Sequence, residues 1–246
     1  MRHLALAYGL LSYVVFLGSF LYAVGFVGDL VVPKSINLPV VDVAWPRALI
    51  QDTALLLLFA VPHSVMARPG FKAWWTKIVP SPVERSTYVL KSSLLLFVLY
   101  WLWIPIPNVI WDVSMPALRT VIWALFWIGW LLALVSTFLI NHFDLFGLRQ
   151  VYLYWLSRTD EPISFCTPLL YRWVRHPLIL GFLIAFWAAP TMTAGRLLFA
   201  MATTAYCLIA LQLEERDLLR YFGEKYVSYK KQVPMLVPVP RRRRGE

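Results

Sequence analysis

Long apolar runs broken by basic loops dominate this chain, and that alternation limits what it can fold into. The runs occupy 4–27, 49–66, 87–106, 118–140, 178–189 and 197–213. A helix that crosses the ~30 Å hydrocarbon core of a bilayer needs about 20 residues. The first four runs reach or approach that length, and the last two are shorter. Between those two lies Pro190-Thr191-Met192-Thr193-Ala194-Gly195, whose proline and glycine break a helix and favour reversal. The pattern predicts an all-α polytopic transmembrane helical bundle of about six spans, with a C-terminal helix hairpin over 178–213 and a cytoplasmic C-terminal helix. Positions 1–140 then form a four-helix transmembrane portion, and 141–246 a second portion carrying hairpin and tail. The first run lacks a small-residue cleavage site and is followed by further spans, so it is read as a retained membrane helix and not a signal peptide.

Hydrophobic residues make up 60% of the chain, which suits lipid as solvent. The net charge of +10 raises the question of nucleic acid, but the basic residues sit at the ends of apolar runs and form no patch, so no nucleic-acid partner is expected. Arg68, Lys72, Lys77 and Arg85 follow the second run; Arg149, Arg158, Arg172 and Arg175 follow the fourth; Arg241 to Arg244 close the chain. Basic residues stay on the cytoplasmic side, so both termini are placed there, with the arginine tail against anionic lipid. Trp101, Trp103 and Trp111 near one face, and Trp74 and Trp75 near the other, read as interfacial belts, with a stacking platform for a cofactor ring as the alternative, above all for the Trp74-Trp75 pair. The two cysteines, Cys166 and Cys207, have no metal or redox spacing, so neither a disulfide nor a metal is expected. Nothing in the sequence sets an oligomeric state.

Polar side chains at membrane depth are costly and therefore informative. His63 ends the second run, and either an interfacial or a site role fits it. His142 and Asp144 follow the fourth run in Asn141-His142-Phe143-Asp144-Leu145-Phe146-Gly147, as caps or as site residues. Asp52 reads as structural on the outer side, and Glu84-Arg85 as a charge pair opening the third span. A denser signal is Tyr171-Arg172-Trp173-Val174-Arg175-His176-Pro177, with the proline placed for the first turn of a helix. Free amides at a helix start suit a carboxylate. One hairpin later, Glu214-Glu215-Arg216-Asp217 returns carboxylates to the same side. The two sets together suit a ligand with an amino-acid end.

Tyr171, Arg175-His176-Pro177, Gly181, Glu214-Glu215, Phe222-Gly223-Glu224-Lys225-Tyr226 and Tyr229 fall in an order that resembles the isoprenylcysteine carboxyl methyltransferase and phospholipid methyltransferase superfamily. Earlier segments, including Phe26-Val27-Gly28-Asp29 and Pro62-His63-Ser64, are similar to its bacterial methanethiol S-methyltransferase branch. His-Ser and Glu84-Arg85 also resemble the denitrification-associated, NnrU-like membrane proteins. The resemblance implies methyl transfer from S-adenosyl-L-methionine to a small volatile thiol, giving dimethyl sulfide, in the bacterial inner membrane. It assigns Tyr171, Arg175, His176, Pro177 and Glu214 to the cofactor, with Glu215 as a supporting partner. A thiol acceptor calls for a base or a cationic neighbour, with His63, His142 and Asp144 as the candidates. Where the prenylcysteine enzymes carry a carboxylate-holding arginine, this chain has Ala210, which suits an acceptor without a carboxylate. A lipid or prenylcysteine substrate, or a non-catalytic accessory role in denitrification, are the alternatives.

Overall fold

The computed structural model describes residues 1–159 and 165–238, so the arginine tail lies outside the described residues. Its helices are α1 (Arg2–Gly28), α2 (Trp45–Met66), α3 (Pro69–Trp75), α4 (Ser81–Leu102), α5 (Pro116–Ile140), α6 (His142–Leu145), α7 (Leu148–Trp155), α8 (Pro177–Trp187), α9 (Ala194–Phe222) and α10 (Glu224–Gln232). Five of them, α2, α3, α4, α5 and α8, carry proline at one of the first two helical positions, where the missing N–H costs nothing. α1, α2, α5 and α9 are long and apolar enough to cross a membrane. α4 matches α2 in length, at 22 residues, but includes Glu84, Arg85 and Lys91. Large apolar side chains such as Leu21, Leu57, Leu131 and Ile209 point outward, as they do when lipid surrounds the bundle. The protein is a multi-pass membrane protein of the all-α bundle class.

α4 begins six residues before the predicted third span and stops at Leu102, because Pro105 and Pro107 cannot continue a helix. Asp52 is fully buried, and its Oδ1 accepts the Ile104 N–H at 2.9 Å, closing the freed end of α4. Trp103 differs from its expected place in a belt. It is fully buried in the core, donating from Nε1 to the Ile36 carbonyl at 3.2 Å. Around it pack Phe26, Leu99, Tyr100, Phe126, Trp130, Ala185 and Phe199 from α1, α4, α5, α8 and α9. Trp101 remains exposed, as a belt residue does.

The hairpin is asymmetric. α8 has 11 residues, while α9 has 29. At ~1.5 Å per residue α8 is ~16 Å long, about half the hydrocarbon thickness. Extended backbone completes the outer part of the hairpin, and its polar groups need partners in lipid. Strand β2 (Thr191–Thr193) finds them in β1 (Val109–Asp112), an antiparallel pair with Asp112 opposite Thr191. The hairpin turn is also tied to the end of α1. Buried Arg196 reaches the Val27 carbonyl and lies 3.8 Å from Asp29, which also accepts from Ser35 Oγ and Asn37 Nδ2, both at 2.6 Å. Thr193 Oγ1 donates to Asn37 Oδ1 at 2.6 Å.

α8 lies against α5 through small residues on both helices. A Cβ on Gly181 would stand 2.6 Å from the Ala133 backbone nitrogen, and one on Gly129 2.6 Å from that of Ala185. Such backbone contact is how membrane helices gain packing without a hydrophobic driving force.

Candidate functional site

At the end of the bundle opposite β1 and β2, the start of α8 meets α9 and α10. Gly223 separates the latter two with φ +55° and ψ −130°, a conformation open to glycine, and turns the chain back so that α10 lies along α9. The C-terminal stretch then pairs with the strand-like residues before α8: Arg175 N–H donates to Pro234 O at 2.9 Å and His176 N–H to Met235 O at 3.2 Å.

Glu215 is buried among cations. Arg175 contacts its Oε1 through Nε (2.7 Å) and Nη2 (2.6 Å), His176 Nε2 lies 3.3 Å from the same oxygen, and Lys230 Nζ sits 2.7 Å from Oε2. Arg175 Nη1 also donates to the Val233 and Lys230 carbonyls, so its guanidinium is committed to the protein interior. Glu214 is different: its side chain is 53% exposed, with Oε2 3.9 Å from His176 Nδ1. Tyr171 is buried with its hydroxyl 3.3 Å from the Ser136 carbonyl, and its own carbonyl accepts from Tyr229 at 2.5 Å. Burial, with Glu214 close by, pushes the Tyr171 hydroxyl above its ordinary pKa and keeps it a neutral donor. Tyr226 is likewise pushed up by burial, and its hydroxyl has no hydrogen-bond partner among the described residues.

The first ladder bond of α8 runs from Leu180 N–H to His176 O at 3.0 Å, which leaves the Leu178 and Ile179 amides outside the ladder. Free amides and the exposed Glu214 carboxylate form a donor and acceptor set that fits a ligand bearing both an ammonium and a carboxylate. Arg175 and Glu215 instead hold His176 in place.

The three candidate bases separate. His142 is buried against Phe138, ring centroids 4.0 Å apart. Thr137 Oγ1 gives its proton to the Leu134 carbonyl at 2.7 Å, so it accepts from His142 Nδ1, also 2.7 Å away. Nε2 therefore accepts from the Tyr13 hydroxyl at 2.8 Å. Both nitrogens are engaged within the protein, and burial lowers the imidazole pKa. Asp144 accepts from Arg149 at 3.1 Å and Gln150 at 3.0 Å, while Asn141 Oδ1 accepts its backbone N–H. These two residues hold the α5 to α7 connection. His63 alone of the three borders the groove between α2 and α9. It is half-buried, with Ser92 Oγ 3.0 Å from Nδ1 and the Tyr88 hydroxyl 2.9 Å from Nε2.

On the next turn Ser64 Oγ donates to the Tyr206 hydroxyl at 3.3 Å, and Arg68 pairs with Asp217 at 2.7 Å. The Arg85 guanidinium lies 5.2 Å from the Tyr88 ring centroid. Glu214 is within electrostatic reach of both Tyr88 and Tyr171, which sets the α8 start at the same end of the bundle as His63. Sequence reasoning missed Tyr88, Ser92, Tyr206 and Lys230. The spacing of Tyr88 and Ser92, one turn apart in an apolar helix, was the available signal.

The fold defines a multi-pass membrane protein, with a candidate small-molecule site at one end of its bundle. Residues 53–217 match the family described as NnrU protein. The chain belongs to that family, and its full-length relatives are methanethiol S-methyltransferases. The one from Mycobacterium tuberculosis (strain ATCC 25618 / H37Rv) is 56% identical over 98% of both chains. Methanethiol S-methyltransferase 2 of Bradyrhizobium diazoefficiens is 55% identical over 95% of this chain and 89% of its own. Nurim from Sus scrofa is 33% identical over 74% of this chain and 69% of its own. No solved structure matches the chain.

Proposed function

We infer that the protein is a membrane enzyme that transfers a methyl group to methanethiol and releases dimethyl sulfide. The observation that carries this is the end-to-end identity to proteins of that name. We assign S-adenosyl-L-methionine as donor; when bound it supplies an electrophilic methyl on a sulfonium. Glu214 faces its ammonium, and the Leu178 and Ile179 amides with His176 face its carboxylate. Arg175, Glu215 and Lys230 fix His176 and the start of α8, so that orientation precedes chemistry. On the acceptor side the thiolate is the reactive form of a thiol. His63 borders the groove and is assigned to the thiol S–H, while Arg85 beside Tyr88 adds positive potential that favours an anion. Ala210, on the Glu214 face of α9, offers no cation to a carboxylate.

The basic residues Arg68, Lys72, Arg85 and Arg149 gather at this end of the bundle, which assigns it to the cytoplasmic face of a bacterial inner membrane. Purified protein given S-adenosyl-L-methionine and methanethiol is expected to release dimethyl sulfide into the headspace. No product, from protein that binds S-adenosylhomocysteine, overturns the acceptor assignment.

A further inference from the structure

The face of α9 that carries Glu214 continues inward through Ala210 to Tyr206, residues four apart and so aligned along one side of the helix. Ala210 lies ~6 Å and Tyr206 ~12 Å along the axis from Glu214. A donor whose ammonium is held at Glu214 would extend along this face toward Ala210, which presents only a methyl side chain. An acceptor approaching such a donor from its far side would then meet Tyr206, the next large side chain along the same face.

The Tyr206 ring is held there by α2. Its hydroxyl accepts from Ser64 at 3.3 Å, and its ring stands edge-on to Phe59 (centroids 6.3 Å) and His63 (6.5 Å). Phe59 in turn stacks on His63 at 5.0 Å. Both neighbours belong to α2, so the ring is braced against that helix. We propose that Tyr206 is the end wall of the acceptor pocket and sets the length of alkyl thiol the enzyme methylates.

This rests on the proposed methyl transfer, and the test separates the two. Wild type, Tyr206→Ala and Tyr206→Phe are compared by kcat/KM for methanethiol and 1-propanethiol, reading dimethyl sulfide and methyl propyl sulfide in the headspace. One methylene against a fixed wall is worth roughly 10- to 200-fold in discrimination. Tyr206→Ala is expected to raise the propanethiol to methanethiol ratio at least ~10-fold. Tyr206→Phe, which keeps the ring, is expected to retain the wild-type ratio. Should Tyr206→Ala fail to fold, Tyr206→Leu carries the same comparison with a smaller cavity. An unchanged ratio in the truncated variant, or equal broadening in Tyr206→Phe, overturns the proposal while dimethyl sulfide formation stands. A wild type that forms no dimethyl sulfide removes the methyl-transfer reading itself, and this inference with it.

Discussion

Successive residues on a helix diverge by ~100°, which sends Glu214 toward the groove and Glu215 into the cluster with Arg175, His176 and Lys230. Their substitutions should therefore fail in different ways. Glu214→Ala is expected to weaken S-adenosylhomocysteine binding by roughly ten- to a hundredfold in calorimetry with little change in Tm. Glu215→Ala strands the buried Arg175 guanidinium and is expected to cost about 3–5 kcal/mol, read as lower Tm in detergent. Equal Tm in both variants would contradict the division. The Glu-Glu pair was legible in the sequence, but adjacency does not reveal which partner is buried; that follows from Lys230 returning on α10. His142 shows the opposite limit. A polar residue at a helix end suggested chemistry, yet its partners Tyr13 and Thr137 come from α1 and α5. Its lowered pKa has a sign: the unfolded chain binds a proton near pH ~6.5 and the folded chain only below that. Stability from neutral His142 is thus complete above pH ~6.5 and declines as pH falls. Wild type should lose more Tm than His142→Gln between about pH 7 and pH 5.5, and parallel losses would refute the buried neutral ring.

Between elements, α5 and α8 meet through Gly129, Ala133, Gly181 and Ala185, with no space for a side chain at either glycine. Gly181→Val forces α8 away from α5 and carries His176 with it. Reduced S-adenosylhomocysteine affinity together with lower Tm is the expected result, and normal binding would show that the site does not depend on this contact. The proline at the start of α8 and the break after it could be read from the sequence. The β1 and β2 pairing could not, because Thr191–Thr193 is three residues long and has no alternation to mark it as a strand. The shortness of α8 behind it was visible in the 178–189 run, but the partner for the extended backbone that completes the hairpin, Val109–Asp112, was not. Trp103 was misplaced for a related reason: a tryptophan near a helix end resembles a belt residue until the loop carrying Ile36 folds over it.

Across the whole molecule, the pairing of Val109–Asp112 with Thr191–Thr193 puts both loops on one side and Glu214 on the other. A reporter inserted after Val113 should lie opposite one fused to the C-terminus, the latter cytoplasmic; both on one side would reject the assigned orientation. α9 connects the two sides without a break, from Arg196 fastened beside Val27 to Glu214 beside His176. It therefore acts as a keyed shaft whose two ends must be in phase. One alanine inserted after Met201 leaves composition and hydropathy almost untouched but rotates everything beyond it by ~100° relative to the outer end. Glu215 would then turn out of its cation cluster and Glu214 away from the groove, or the Arg196 latch would have to release. Four inserted residues, close to a full turn of ~3.6, restore the facing and leave a translation of ~6 Å.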